Sequence, residues 1–168
     1  LAQHHGLPTR LLDWTYSPFV ALHFVTCEEI WCDRDGVIWC VDFQKTNELL
    51  PEKLRTVLND EETSVFTAES LQEIAGTLPE FDRISETPCV AFFEPPSLDD
   101  RIVNQFALFS LPSSPSLQLD TWLADAGKDL ARRVIIPAEL KAEVRDKLDQ
   151  ANLTERVLFP GLDGLSQW

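Results

Sequence analysis

The sequence predicts a single α+β domain, and three observations carry that reading. Two dense apolar runs bounded by turn residues, at 37–43 and 89–94, have the length and composition of strands. Two other stretches repeat apolar residues at helical spacing, Val20, Phe24, Cys27 and Trp31 early on and Leu140, Val144 and Leu148 near the end. The 168 residues suit one hydrophobic core. No repeat, low-complexity tract or linker divides them.

Taken in order, residues 1–15 read as a polar opening loop punctuated by Gly6 and Pro8. Ser17 and Pro18 supply an N-cap and a proline at the first helical position. The apolar spacing beyond them predicts a largely buried helix over 17–30, with His23 as a satisfied core residue. Asp33, Arg34, Asp35 and Gly36 turn the chain into a central strand at 37–43. From 44 to 83 the sequence is charged and weakly patterned; short helices are expected near 49–58 and 68–74, without strong caps.

A second strand at 89–94 is stopped by Pro95 and Pro96. A short helix over 98–105 leads into a strand at 107–111 and a loop at 112–115. Residues 133–136 form a short strand, and Pro137 opens a helix whose inner face is Leu140, Val144 and Leu148. The outer face of that helix alternates Glu139, Lys141, Glu143, Arg145 and Lys147, and Asn152 ends it.

Lys and Arg number 14 against 28 Asp and Glu, a net charge of −14. Nucleic-acid binding neutralises phosphates with cations, so no broad nucleic-acid surface is expected, and none for an anionic membrane. A small-molecule or protein ligand remains, because one or two arginines in a pocket outweigh the global field locally. Cys27, Cys32, Cys40 and Cys89 match no standard zinc spacing and sit in apolar stretches. They are expected to be buried free thiols, with no metal and a cytoplasmic location. No signal peptide or membrane span is legible. Methionine is absent and the chain opens inside a motif, as a piece of a longer protein would.

Two polar clusters hold the side chains with chemical uses. The first is the opening loop, with Gln3, His4, His5, Arg10, Asp13, Thr15 and Ser17 around Trp14. Adjacent histidines seldom ligate one metal together; one of them is either packed or presented to a ligand. Arg10 and Asp13 read either as an ion pair fastening the loop or as an arginine offered to a ligand anion and oriented by the aspartate. Thr15 and Ser17 either cap the helix or hydrogen-bond a ligand over its N-terminus. The second cluster is Asp99, Asp100, Arg101, Asn104 and Gln105, where Arg101 and Gln105 share a helical face. Its alternative is the solvated side of an amphipathic turn. No Ser-His-Asp arrangement, P-loop or dinucleotide fingerprint occurs.

The string from Ala2 to Thr15, followed by Ser17-Pro18 and Ala21-Leu22-His23-Phe24, closely resembles the central motif of FRG domains. Arg101-Ile102, Gln105 and Phe109 resemble the family's second pattern, an Arg-Ile followed by Gln-x-Gly-x-Phe. Val134-Ile135-Ile136-Pro137 and the run from Leu158 to Leu165 continue the match in order. Two departures stand out. The Phe-Arg-Gly motif that names the family lies upstream of this chain, and the glycine expected two residues after Gln105 is Ala107.

A further resemblance is to ADP-ribosyltransferases of the arginine–serine–glutamate type. The segment Thr15 to Phe24 is similar to their serine-bearing strand and following apolar helix. That resemblance implies NAD as substrate. It places the pyrophosphate on Arg10 and the missing upstream arginine, the nicotinamide ribose on Thr15 and Ser17, and Gln105 or Asp99 near the glycosidic carbon as the catalytic residues. His5, Asp13 and Arg101 complete the ligand-binding set. Gln105 stands where that family has a carboxylate, and a chain lacking the upstream arginine is expected to be inactive. The competing expectation is a non-catalytic module that binds a ligand or a protein, favoured by Trp14, the acidic surface and the absent glutamate.

Overall fold

A computed structural model describes residues 9–127, 129–161 and 164. The order of elements is β1 (Leu12–Thr15), α1 (Pro18–Thr26), β2 (Gly36–Val41), α2 (Phe43–Thr46), α3 (Glu52–Asp60), β3 (Phe66–Thr67), α4 (Ala68–Ile74) and α5 (Leu78–Asp82). Then come β4 (Val90–Glu94), α6 (Asp100–Asn104), β5 (Ala107–Pro112), α7 (Leu119–Ala126), β6 (Ala131–Ile136), α8 (Lys141–Gln150) and α9 (Glu155–Leu158). The α+β class is as expected, and the described residues form two compact units. The first takes residues up to Trp14, Val41–Pro96 and Leu108–Ala131. The second takes Thr15–Cys40, Ser97–Ala107 and the described residues from Arg132 onward.

The first unit is built on a sheet of order β1-β5-β4-β3, with β4 antiparallel to β5 and parallel to β3. Successive strand residues point to opposite faces, so β4 feeds two clusters. Ala91 and Phe93 join Leu54, Phe66, Phe81 and Leu111 on one side. Val90 and Phe92 join Leu108 on the other, with Trp14 and Trp122 packed against them. A strand buried on both faces reads as a continuous apolar run, which is why 89–94 was legible. Trp14 is a packing residue here: its ring lies 5.9 Å from that of Phe92, and its Nε1 donates to Ser110 Oγ at 2.9 Å.

Short helices stand close to 49–58 and at 68–74, but the expectation of weak caps is corrected at α4. Thr67 Oγ1 accepts from Ser70 N while Ser70 Oγ accepts from Thr67 N, both at 3.0 Å. This reciprocal cap uses serine at the third position, where the sequence pattern looks for Glu or Gln.

In the second unit α1 packs against α8. The helix stops at Thr26, short of residue 30, and Thr26 Oγ1 turns back onto Leu22 O at 2.8 Å. Only Val20, His23 and Thr26 are buried, at spacings of three that define one stripe, while Phe19 and Phe24 stand 57% and 43% exposed. The helix is therefore one-sided, not buried for most of its length; His23 is a core residue as expected. The early strand is also corrected. Among the described residues β2 pairs with β6 alone, so it is one of two edge strands and not a central one.

The last helix departs in register. A single 3-10 turn, Ala138–Leu140, precedes α8, and its three residues per turn, against 3.6 in an α-helix, rotate α8 relative to the pattern. Lys141, expected outside, is buried and donates from Nζ to Trp31 O at 2.8 Å, whereas Leu140 is exposed. Asn152 is the stop, in the left-handed region at φ 59°. The cysteines are free but not uniformly buried: Cys89 is buried, Cys27 half-buried, and Cys32 and Cys40 exposed.

Candidate functional site

The second unit gathers one group of the nominated side chains. Thr15 ends β1, and its Oγ1 donates to the carbonyl of Gln105 at 2.7 Å while accepting Ser17 N at 3.0 Å. Ser17 caps α1, its Oγ accepting Val20 N at 3.4 Å. Asp99 caps α6, its Oδ1 accepting Arg101 N at 2.8 Å. Thr15 and Gln105, ninety residues apart in sequence, are thus joined directly.

The face of α6 that was expected to hold Arg101 and Gln105 together does so, and it is turned to the end of α9. Gln105 Nε2 donates to Leu158 O at 2.9 Å, and Asn104 Nδ2 donates to Val157 O at 2.8 Å. Two side-chain amides thereby satisfy carbonyls that a helix C-terminus leaves open. Arg101 lies with its Cζ 4.5 Å from the centre of the Phe159 ring, and Phe24 meets the same ring edge-on at 6.0 Å. Arg101 forms no ion pair among the described residues.

Next to Gln105 is a residue that sequence reasoning passed over. Phe106 has φ 50°, is 55% exposed, and has both its backbone groups engaged: its N–H with Val103 O and its carbonyl with Tyr16 N, each at 3.1 Å. A bulky residue in the left-handed region costs about 1–2 kcal/mol. The residue held there is Phe106, not the neighbouring Ala107 where the family pattern places glycine, so the alanine meets no backbone conflict of this kind. No sequence signal marks it, because apolar residues between a helix and a strand are ordinary.

Behind this surface lies an ionic group joining three helices. Arg145 on α8 donates from Nη2 to Glu155 Oε1 at 2.7 Å, and His23 Nε2 of α1 lies 3.8 Å from the same oxygen. His23 is 2% exposed. Burial lowers its pKa below the ordinary histidine value, against the upward pull of the Glu155 and Asp149 charges; Arg145 lowers it further. Burial pulls the Glu155 carboxyl upward, but the hydrogen bonds from Arg145 and the backbone, with the charges of Arg145 and His23, outweigh it and hold it below its ordinary value. Buried Nη1 of Arg145 and Oγ1 of Thr154 have no partner among the described residues. Sequence patterning assigned Arg145 to a solvated face; its partner comes from a helix that the pattern does not connect to it.

The remaining nominated residues lie elsewhere. Arg10 and Asp13 belong to the first unit, whereas Thr15, Ser17, Asp99, Arg101 and Gln105 belong to the second. Arg10 does not pair with Asp13: its Nη2 lies 2.5 Å from Asp82 Oδ1, at the end of α5, and its side chain is 12% exposed. Asp13 sits exposed on β1. His4 and His5 fall outside the described residues. No cluster of three metal-ligating side chains occurs among the described residues, and no helix there is long and apolar enough to cross a membrane.

No curated protein and no solved structure matches the chain. Residues 1–33 match the FRG domain, the family whose central motif the opening segment resembles.

Proposed function

We propose that this chain works by binding and not by catalysis, taking a protein or small-molecule ligand on the second unit around Arg101, Phe106 and Phe159. One observation carries the reading. The two groups nominated to act at a glycosidic carbon, Gln105 and Asp99, both hold the chain's own backbone, at Leu158 O and Arg101 N. Thr15 and Ser17 are engaged in the same way. What they leave is an arginine with no ion-pair partner among the described residues and exposed or half-buried aromatic rings, the side chains that dominate protein-recognition hot spots. A strained and exposed residue, Phe106, supports the same reading, since strain gathers where a site is presented.

Two assays test it. Nicotinamide release from NAD is expected to be absent for the chain and for Gln105→Glu, which restores a carboxylate. A displayed random-peptide library, selected on the chain and counter-selected on the Arg101→Ala/Phe106→Gly variant, is expected to yield carboxylate-bearing binders lost in the variant. NAD turnover that disappears in Gln105→Ala would overturn the proposal.

A further inference from the structure

Among the described residues the strands β2 and β6 form a sheet of two, and two strands alone bury little of either face. Val37 and Trp39 on β2 are 46% and 37% exposed; Val134 and Ile135 on β6 are 45% and 62% exposed. An open strand with apolar side chains is the kind of edge that proteins otherwise shorten, charge or cover, because its free amides and carbonyls invite another strand.

β6 also carries Arg132 and Arg133, the one adjacent pair of basic residues in the chain, and both are exposed. Neighbouring strand residues point to opposite faces, so one guanidinium stands on each face. Arg133 lies 5.6 Å over the Trp39 ring, and neither arginine forms an ion pair among the described residues. In a chain of net charge −14 this pair is a local exception that favours an anionic partner. The same net charge opposes a second copy of the chain and opposes nucleic acid.

We propose that the open edge of β6 accepts an added strand from a partner polypeptide carrying two adjacent acidic residues and two adjacent apolar ones. Main-chain hydrogen bonds to the outward groups of β6 supply affinity, and side chains opposite each position supply specificity. In an antiparallel pairing, Arg132 and Arg133 face the acidic pair, one on each side of the sheet, while Val134 and Ile135 face the apolar pair. The order along β6 then requires the partner to read apolar-apolar-acidic-acidic. This surface uses none of the residues of the proposed binding site above, so it stands or falls independently of that reading.

The probe is a capped, fluorescein-labelled peptide, Thr-Ile-Val-Glu-Glu-Thr, followed by fluorescence anisotropy. Binding is expected, with weaker binding of the same residues reordered to alternate Val and Glu, and none when alternate amides are N-methylated. The Arg132→Glu/Arg133→Glu variant is expected to bind about tenfold more weakly, from two lost exposed charge pairs and the repulsion that replaces them. Amide exchange at 132–135 of the unaltered chain is expected to slow when the peptide is added, a readout that needs no variant to fold. Equal binding of polyglutamate, of an oligonucleotide or of the N-methylated peptide would reduce the contact to charge and overturn the proposal. So would unchanged exchange at 132–135, or self-association of the chain through this edge.

Discussion

Replacing Glu155 by Gln tests the ionic group that joins α1, α8 and α9. The carboxylate is 13% exposed and accepts Arg145 Nη2 at 2.7 Å, and Arg145 is itself 29% exposed. The pair therefore lies between two measured regimes. Exposed pairs contribute about 0.2–1 kcal/mol, whereas removing one partner of a fully buried pair costs about 3–5 kcal/mol. An intermediate loss of about 2 kcal/mol is expected, because Arg145 keeps its charge, already holds one buried donor without a partner, and gains only a neutral amide. For a chain of this size that corresponds to a fall in melting temperature of about 4–8 °C.

The pH dependence follows from the same atoms. Both His23 and Glu155 have folded pKa values below their ordinary ones, 6.5 and 4.5. A depressed value means that the unfolded chain binds the proton more readily, so stability rises with pH. The contribution of each is fully present above its ordinary value and is lost as pH falls through the folded one. In the unaltered chain stability therefore declines in two stages, beginning below 6.5 and again below 4.5. Glu155→Gln removes the Glu155 share of the second stage and leaves that of Glu143, which Lys147 also holds below its ordinary value. It also lowers the His23 pKa further, because the Glu155 charge had been raising it. Thermal melts at several pH values, with an NMR titration of the His23 ring, measure both effects. A variant melting within about 1 °C of the unaltered chain at neutral pH, or a His23 pKa that rises, would refute the reasoning.

Arg10→Lys and Asp82→Asn should each lower the melting temperature, with a double variant that loses less than their sum, because the pair meets at 2.5 Å; additive losses would show that the contact is not made. Gly36→Ala should destabilise by about 1–3 kcal/mol in denaturant titration, since an added Cβ would stand 2.2 Å from Val25 Cγ2; an unchanged midpoint would mean that Val25 yields freely. Phe106→Gly should leave the fold as stable or up to about 1 kcal/mol more so, as the strain of a left-handed phenylalanine is exchanged for the entropy of glycine. The same variant should lose the peptides selected on the unaltered chain.

The parts of the fold that the sequence made legible are those whose signal is local. β4 is an apolar run because both its faces are covered, and Ser17 is a cap because capping needs only the next three residues. What escaped was set by partners far along the chain. Leu12–Thr15 reads as loop yet is a strand, because β5 lies beside it. Arg10 found its carboxylate seventy-two positions away at Asp82, while Asp13, its neighbour in sequence, was the only local candidate. The exposure of Phe19 and Phe24 was equally hidden, since apolar residues on every side of a helix look alike until one face is left uncovered. Of the candidate site, the shared face of Arg101 and Gln105 was legible. The use of those polar groups as supports for backbone was not.

The two compact units are each assembled from separated stretches, for the chain passes from one to the other after Trp14, Cys40, Pro96, Ala107 and Ala131. No single cut in the gene yields either unit whole. Deleting everything beyond Ala131 would remove α8 and α9 and leave α1 without the helix it packs on; deleting the first forty residues would take β1 from the sheet of the first unit. A nascent chain cannot complete the first unit until Ala131 has emerged, nor the second until α8 and α9 have. Point substitution, not truncation between β1 and α9, is the way to dissect these two units.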